Sequence, residues 1–327
     1  MLSCVIMEDF LVGGGFFDDN DDNEAQQESL WNPPPPLQDV STVLRLVDHN
    51  EDDEDCHVLS SVRLRAQTEF VQCHMGSLEL CQGYRGDMLR EIGAFNAVLD
   101  LLTTVKERQL ITPCISAEIS TTTNNEQERD LLELCRVCWG AIRDMTCGVI
   151  GNRNAMRERN LRTRRRGGGD GKDTTETGLT LAVDYLQWYH GQCWEELEPS
   201  HLDLLTAVLG VLRNVSHKTP QNCAVLHNCG ATTLLVWRML HADRNGLPDA
   251  TVPWREAVYR TLYTLINLAE CHDPSSLECS RHPALVHQLL ESWGSNKRLQ
   301  PMFHNLVAHA KHELPDNDFD PLWNRFL

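Results

Sequence analysis

The stretch from Leu212 to Leu235, LRNVSHKTPQNCAVLHNCGATTLL, decides the fold. An apolar helix ends in Leu-Arg-Asn-Val-Ser, a short polar break follows, a brief helix runs to Cys229-Gly230, and Ala231 begins another. Gly230 sits where one helix must stop sharply and the next begin, a place that favours glycine because it accepts positive φ. The stretch carries no nucleophile–base pair, no metal spacing and no phosphate loop. It is a unit made of helix ends.

The unit recurs. A short helix closing on Gly-Ala appears as DMLREIGAFNAVLDLL (87–102) and as NCAVLHNCGATTLL (222–235). A long helix closing on an apolar-flanked Asn or acid appears at Glu79, Asp144, Asn214, Asn267 and Asn305. Successive ones lie 65 (79 to 144), 70 (144 to 214), 53 (214 to 267) and 38 (267 to 305) residues apart. Two polar, loop-like insertions, 103–128 and 161–178, account for the longer gaps. Removing them brings the spacing towards the roughly 40–47 residues of a helical repeat. Short, middle and long helices of this kind cannot bury their apolar faces alone, but stacked copies share one core. Alternating β-branched runs are nearly absent, so the expected class is all-α, a superhelical solenoid of about five three-helix repeats.

Composition agrees. Of 327 residues 41% are hydrophobic and 6% aromatic, enough for a packed helical chain. No apolar run approaches the roughly 18 residues of a membrane span, and the acidic N-terminus lacks the basic start of a secretory signal. Thirteen scattered cysteines suggest buried, reduced thiols rather than a disulfide framework, and hence the cytoplasm, with the cell cortex and the nucleus also open. The net charge of −18 is uneven. Residues 1–56 hold fifteen acids against Arg45, whereas residues 153–172 hold eight bases against Glu158 and Asp170.

Three parts follow. Residues 1–39 read as an acidic leader too poor in aliphatics to fold, ending in the Pro33–Pro36 run. Residues 40–312 read as the repeat domain. Residues 313–327, with DFDPLWNRFL, read as a cap over the last repeat or as a linear motif.

Four stretches carry a family resemblance: DMLREIGAFNAVLDLL (87–102), CWGAIRDMTCGVIGNRNAMRE (138–158), LLTAVLGVLRNVSHKTPQNCAVLHNCGATTLL (204–235) and YRTLYTLINLAE (259–270). They resemble the armadillo-repeat family, nearest to its adenomatous polyposis coli branch, with inscuteable-type polarity adaptors as the other reading. The resemblance implies a right-handed superhelix and a non-catalytic adaptor that takes an extended partner segment in a concave groove. It implies signalling, including Wnt signalling, or cytoskeletal and cell-polarity complexes.

The same resemblance puts the ladder asparagines of the long helices against the main chain of the bound segment. An amide both donates to and accepts from a peptide bond, which makes Asn214, Asn267 and Asn305 candidate contacts. The competing reading is that they only tie neighbouring helices. Glu79 and Asp144 depart from the pattern because a carboxylate only accepts. Arg143 and Arg213, each just before a ladder residue, would supply positive charge. Armadillo import adaptors place Trp four residues before each ladder Asn; here those places are Gly140, Gly210, Tyr263 and Pro301, so import-signal binding is not expected.

The basic run Arg162, Arg164, Arg165 and Arg166 is read as a solvated insertion, a nucleic-acid or acidic-partner contact, or a seat for the acidic leader. GGGDGK fails as a phosphate loop: the required glycine is Arg166, and Asp173 follows Lys172 in place of Ser or Thr. Cys135 and Cys138 form a lone CxxC, read as core because no second ligand pair accompanies it. No cofactor or metal is expected.

Overall fold

The computed structural model describes residues 61–75, 84–91, 93–107, 111, 122–158, 176–190, 197–240, 254–272 and 274–275. All belong to the unit spanning 40–327. These residues are mostly helical and include no β-strand. The leader, the basic run Arg162–Arg166, Glu79, Asn305, Pro301 and the C-terminal tail lie outside them.

Three helix lengths alternate. The short helices are α2 (Tyr84–Glu91), α5 (Ile150–Glu158) and α8 (Pro220–Asn228); the middle ones are α3 (Ala94–Glu107), α6 (Gly178–Gln187) and α9 (Ala231–Leu240). The long ones are α1 (Ser61–Met75), α4 (Thr122–Thr146), α7 (Pro199–Ser216) and α10 (Trp254–Cys271). Within each set of short, middle and long helix, all three pack on one another. Between sets, like packs on like: α2 on α5 on α8, α3 on α6 on α9, and α1 on α4 on α7 on α10.

The turns explain the sets. Gly93 and Gly230, between the short and middle helices, both have φ of 83°. A Cβ there would meet nothing within 4 Å, so the requirement is conformational and not spatial. Each glycine N–H bonds back to the short helix, Gly93 to Arg90 O and Gly230 to His227 O, which ends it within one residue. Between α5 and α6 the insertion replaces this turn, and α6 restarts on a capping box in which Thr177 and Thr180 bond reciprocally. Pro199 and Pro220 open α7 and α8, where a missing N–H costs nothing.

Short helices are keyed to each other by a repeated contact. Asn152 and Asn222, both wholly buried, donate to the Met145 and Val215 carbonyls at the ends of α4 and α7 (2.7 and 2.9 Å). Those carbonyls would otherwise lack partners inside their own helices. The Oδ1 atoms then accept from Arg90 and Arg157 of the preceding short helix, at 2.9 and 3.0 Å. At the third junction His227 Nδ1 meets Ser275 Oγ at 3.2 Å in the same way.

One expectation needs correction. The stretch 103–128, read as a loop, is helical at both ends: α3 runs on to Glu107 and α4 already begins at Thr122. Val105 is fully buried, and Lys106 is held by Glu176 and Asp184. On the other side Arg65 of α1 pairs with Glu126 at 2.6 Å and Asp130 at 3.0 Å. The polar text here has no apolar period to announce it, and its contacts to neighbouring helices include these ion pairs.

Candidate functional site

The long helices leave one strip of each uncovered. On α7, Leu204, Leu205, Val208, Leu209, Val211, Leu212 and Val215 are fully buried between α4, α6 and α10. Burying a side chain of that size stabilises by about 1.5–3 kcal/mol. What remains is Asp203, Thr206, Arg213 and Asn214, a single strip at helical spacing, with the buried Gly210 in line between Thr206 and Arg213. On α4 the corresponding strip is Arg129, Glu133, Arg136, Gly140 and Arg143; on α10 it is Glu256, Tyr259, Tyr263 and Glu270. These strips face across from helix to helix.

Their chemistry divides in two. Towards the starts of α4 and α7 the charges alternate: Arg136 forks onto Glu133 at 2.5 and 2.6 Å, with Asp203 near it. Burial raises the Asp203 carboxyl, and Arg136 opposes that shift. Towards the ends, three arginines converge. Arg143 donates Nε to the buried Asp144 at 2.7 Å. Arg260, 7% exposed, donates to Glu256 at 2.8 Å and to the Thr206 carbonyl at 2.8 Å. Burial pulls its guanidinium down, Glu256 opposes this, and the Arg143 and Arg213 charges add to the lowering. Arg213 lies over the Tyr263 ring, 4.5 Å from its centroid, and among the described residues no carboxylate lies within ion-pair reach of it.

Gly210 makes the convergence sterically feasible. A Cβ on it would stand 2.5 Å from Arg260 Nη1 and 2.8 Å from Arg143 Cδ, so both side chains cross α7 where a larger residue would stop them. Gly140, one helix earlier, has open space in the same place. Trp139 is fully buried and stacks edgewise on Tyr185 at 5.2 Å, so it faces the core and not this strip.

The ladder residues sit beside the arginines, but their amide nitrogens are already engaged. Asn214 Nδ2 donates to the Arg143 carbonyl at 2.8 Å. Asn267 Nδ2 donates to the Arg213 carbonyl at 3.0 Å and to Ser216 Oγ at 3.1 Å. Each ties its long helix to the one before. Asp144, in the same register, satisfies its carboxylate on Arg143 instead. The structure therefore brings together Arg143, Asp144, Arg213, Asn214, Tyr263 and Asn267. Reading the sequence missed Arg260 and Gly210; the signal was a lone glycine inside an otherwise bulky helix, buried under the arginines that cross it.

Cys135 and Cys138 are both fully buried on α4. Burial pushes the Cys135 thiol up to about 12, against the Tyr185 hydroxyl 3.9 Å away, and raises Cys138 as well. Among the described residues no three His, Cys, Asp or Glu side chains are grouped to hold a metal ion. Nor is any helix among them long and apolar enough to cross a membrane. No family model matches the sequence, and no curated protein is significantly similar to it.

Proposed function

We propose that this chain is a non-catalytic adaptor of the armadillo type, its three-helix sets continuing into a right-handed superhelix of about five repeats. The row of long helices takes an extended, acidic segment of a partner protein. The observation that carries this reading is Arg213: half-exposed, stacked on Tyr263, beside Arg143 and Arg260, and without a carboxylate of its own among the described residues. A guanidinium held over an aromatic ring still has N–H donors to offer a carboxylate or a main-chain carbonyl. The like-on-like packing of long helices supports the repeat reading, since it lines up the open strips in one direction. Membership of signalling, cytoskeletal or polarity complexes, in the cytoplasm, at the cortex or in the nucleus, rests on the family resemblance.

The test compares proteins retained from lysate by the wild-type chain and by Arg213→Glu, quantified by mass spectrometry. Circular dichroism first establishes that the variant is folded. Partners lost selectively from the variant, and recovered in binding assays as acidic peptides, support the reading. An identical set of partners on both proteins removes it.

A further inference from the structure

We propose that Cys223 and Cys271 form a peroxide-responsive dithiol, closing a reversible disulfide that joins α8 to α10. The two thiols are free, and they come from helices that pack on each other. Cys223 is fully buried, and its sulfur faces the Ser216 carbonyl at 3.2 Å and the Asn267 carbonyl at 3.7 Å. Asn267 stands one helical turn before Cys271, so this contact sets the Cys223 sulfur beside the end of α10. Burial raises the Cys223 thiol, and the neighbouring Cys271 thiol adds to that rise.

Cys271 occupies the more open position, half-buried at the last residue of α10. The backbone amides of Lys218 and Thr219 act on it in the sense that favours the thiolate. Lys218 has φ of 50°, and successive amides around such a left-handed residue form a nest that receives negative charge. Burial and Glu270 act in the opposite sense and raise the thiol, so the reaction is slow at neutral pH and quickens as pH rises. Cys135 and Cys138, by contrast, are both wholly buried, which leaves Cys271 as the thiol of the two pairs that an oxidant meets first.

The chemistry balances with hydrogen peroxide as oxidant. The Cys271 thiolate attacks one peroxide oxygen; an S–O bond forms, the O–O bond breaks, and the leaving hydroxide takes up the thiol proton as water. Cys271 is then a sulfenic acid. The Cys223 sulfur attacks that sulfur; the S–S bond forms, the S–O bond breaks, and a second water departs with the Cys223 proton. Two thiols have lost two electrons, and the peroxide has gained them. A dithiol reductant reverses the result.

The experiment exposes the full chain to graded hydrogen peroxide, alkylates the remaining thiols and maps unreduced peptides by mass spectrometry. Fragmentation must separate Cys223 from Cys229 and Cys271 from Cys279. The expected dominant pairing is Cys223 with Cys271, lighter by two hydrogens and lost on dithiothreitol treatment. Cys223→Ser should leave Cys271 as a sulfenic acid that dimedone traps, while Cys271→Ser should keep Cys223 reduced. The wild-type map needs no variant to fold, so it decides first. Other pairings ahead of this one, or a Cys223 that stays alkylatable while exposed thiols oxidise, would overturn the proposal.

Discussion

Asn267 donates its side-chain amide to the main-chain carbonyl of Arg213, 3.0 Å away, and so fastens α10 to α7 at the open face. Asn214 makes the same bond from α7 to Arg143 of α4. Asn267→Ala should therefore destabilise the fold whatever it does to a partner. Leaving buried polar groups unsatisfied costs about 1–3 kcal/mol. Asn267→Asp should be worse than the alanine, because a carboxylate cannot donate to a carbonyl. Asp144→Asn should be milder, since the amide oxygen can still accept from Arg143 Nε. Denaturant titration of the three variants checks the order. Equal losses for Ala and Asp at 267 would mean that the bond to Arg213 contributes little.

The aromatic partner of Arg213 can be tested apart from its charge. Tyr263→Phe keeps the ring and removes only the hydroxyl, which accepts from Tyr259 at 3.2 Å. Tyr263→Leu removes the ring face. Affinity for an acidic segment should hold in the phenylalanine variant and fall in the leucine variant by a few-fold, corresponding to about 0.5–1 kcal/mol of cation–π attraction. Fluorescence anisotropy with a labelled acidic peptide reads both. If leucine binds as well as tyrosine, the ring does not orient the guanidinium.

Lys218 and Gly148 follow the ladder residues of α7 and α4 at the same interval, and both have positive φ, 50° and 73°. A side chain in that region is strained, so Lys218→Gly should stabilise, by about 0.5–1 kcal/mol after the greater entropy of glycine in the unfolded chain is counted. Gly93→Ala and Gly230→Ala should go the other way by about 1 kcal/mol or more, although nothing stands within 4 Å of the added carbon. Thermal melts of the three variants, read for opposite signs, check both halves.

The helix ends were legible in the sequence because their residues announce themselves locally. Gly93 and Gly230 punctuate two equivalent turns, and Asn214 and Asn267 close two equivalent long helices. Other parts depend on partners far along the chain. The polar text from Thr122 to Asp130 is helical and meets α1, where Arg65 pairs with Glu126 and Asp130. Asn152 and Asn222 look like ordinary loop asparagines until Arg90 and Arg157 are brought to them. The candidate site was legible as a ladder with two arginines. That the ladder amides tie helices, and that a third arginine crosses at Gly210, needed the packing of α10 on α7.

A last prediction concerns pH. His201 is buried at the start of α7, with Nδ1 3.2 Å from the Tyr189 hydroxyl and its ring edgewise on Tyr189. Burial lowers its pKa from the ordinary 6.5, outweighing the Glu128 and Glu198 charges that raise it. Below 6.5 the unfolded chain therefore binds a proton that the folded chain refuses. Stability is complete above that pH and falls as pH drops towards the folded value, with a slope of at most about 1.4 kcal/mol per pH unit for one proton. His217 is shifted in the same direction, again by burial first, and adds to the loss. Asp203, raised from 3.8 by burial, acts in a lower range and with the opposite sign. His201→Gln should flatten the profile of unfolding free energy between pH 6.5 and 5 in part, and His201→Gln with His217→Gln should flatten it further. A wild-type profile already flat across that interval would show that neither imidazole is kept neutral by the fold.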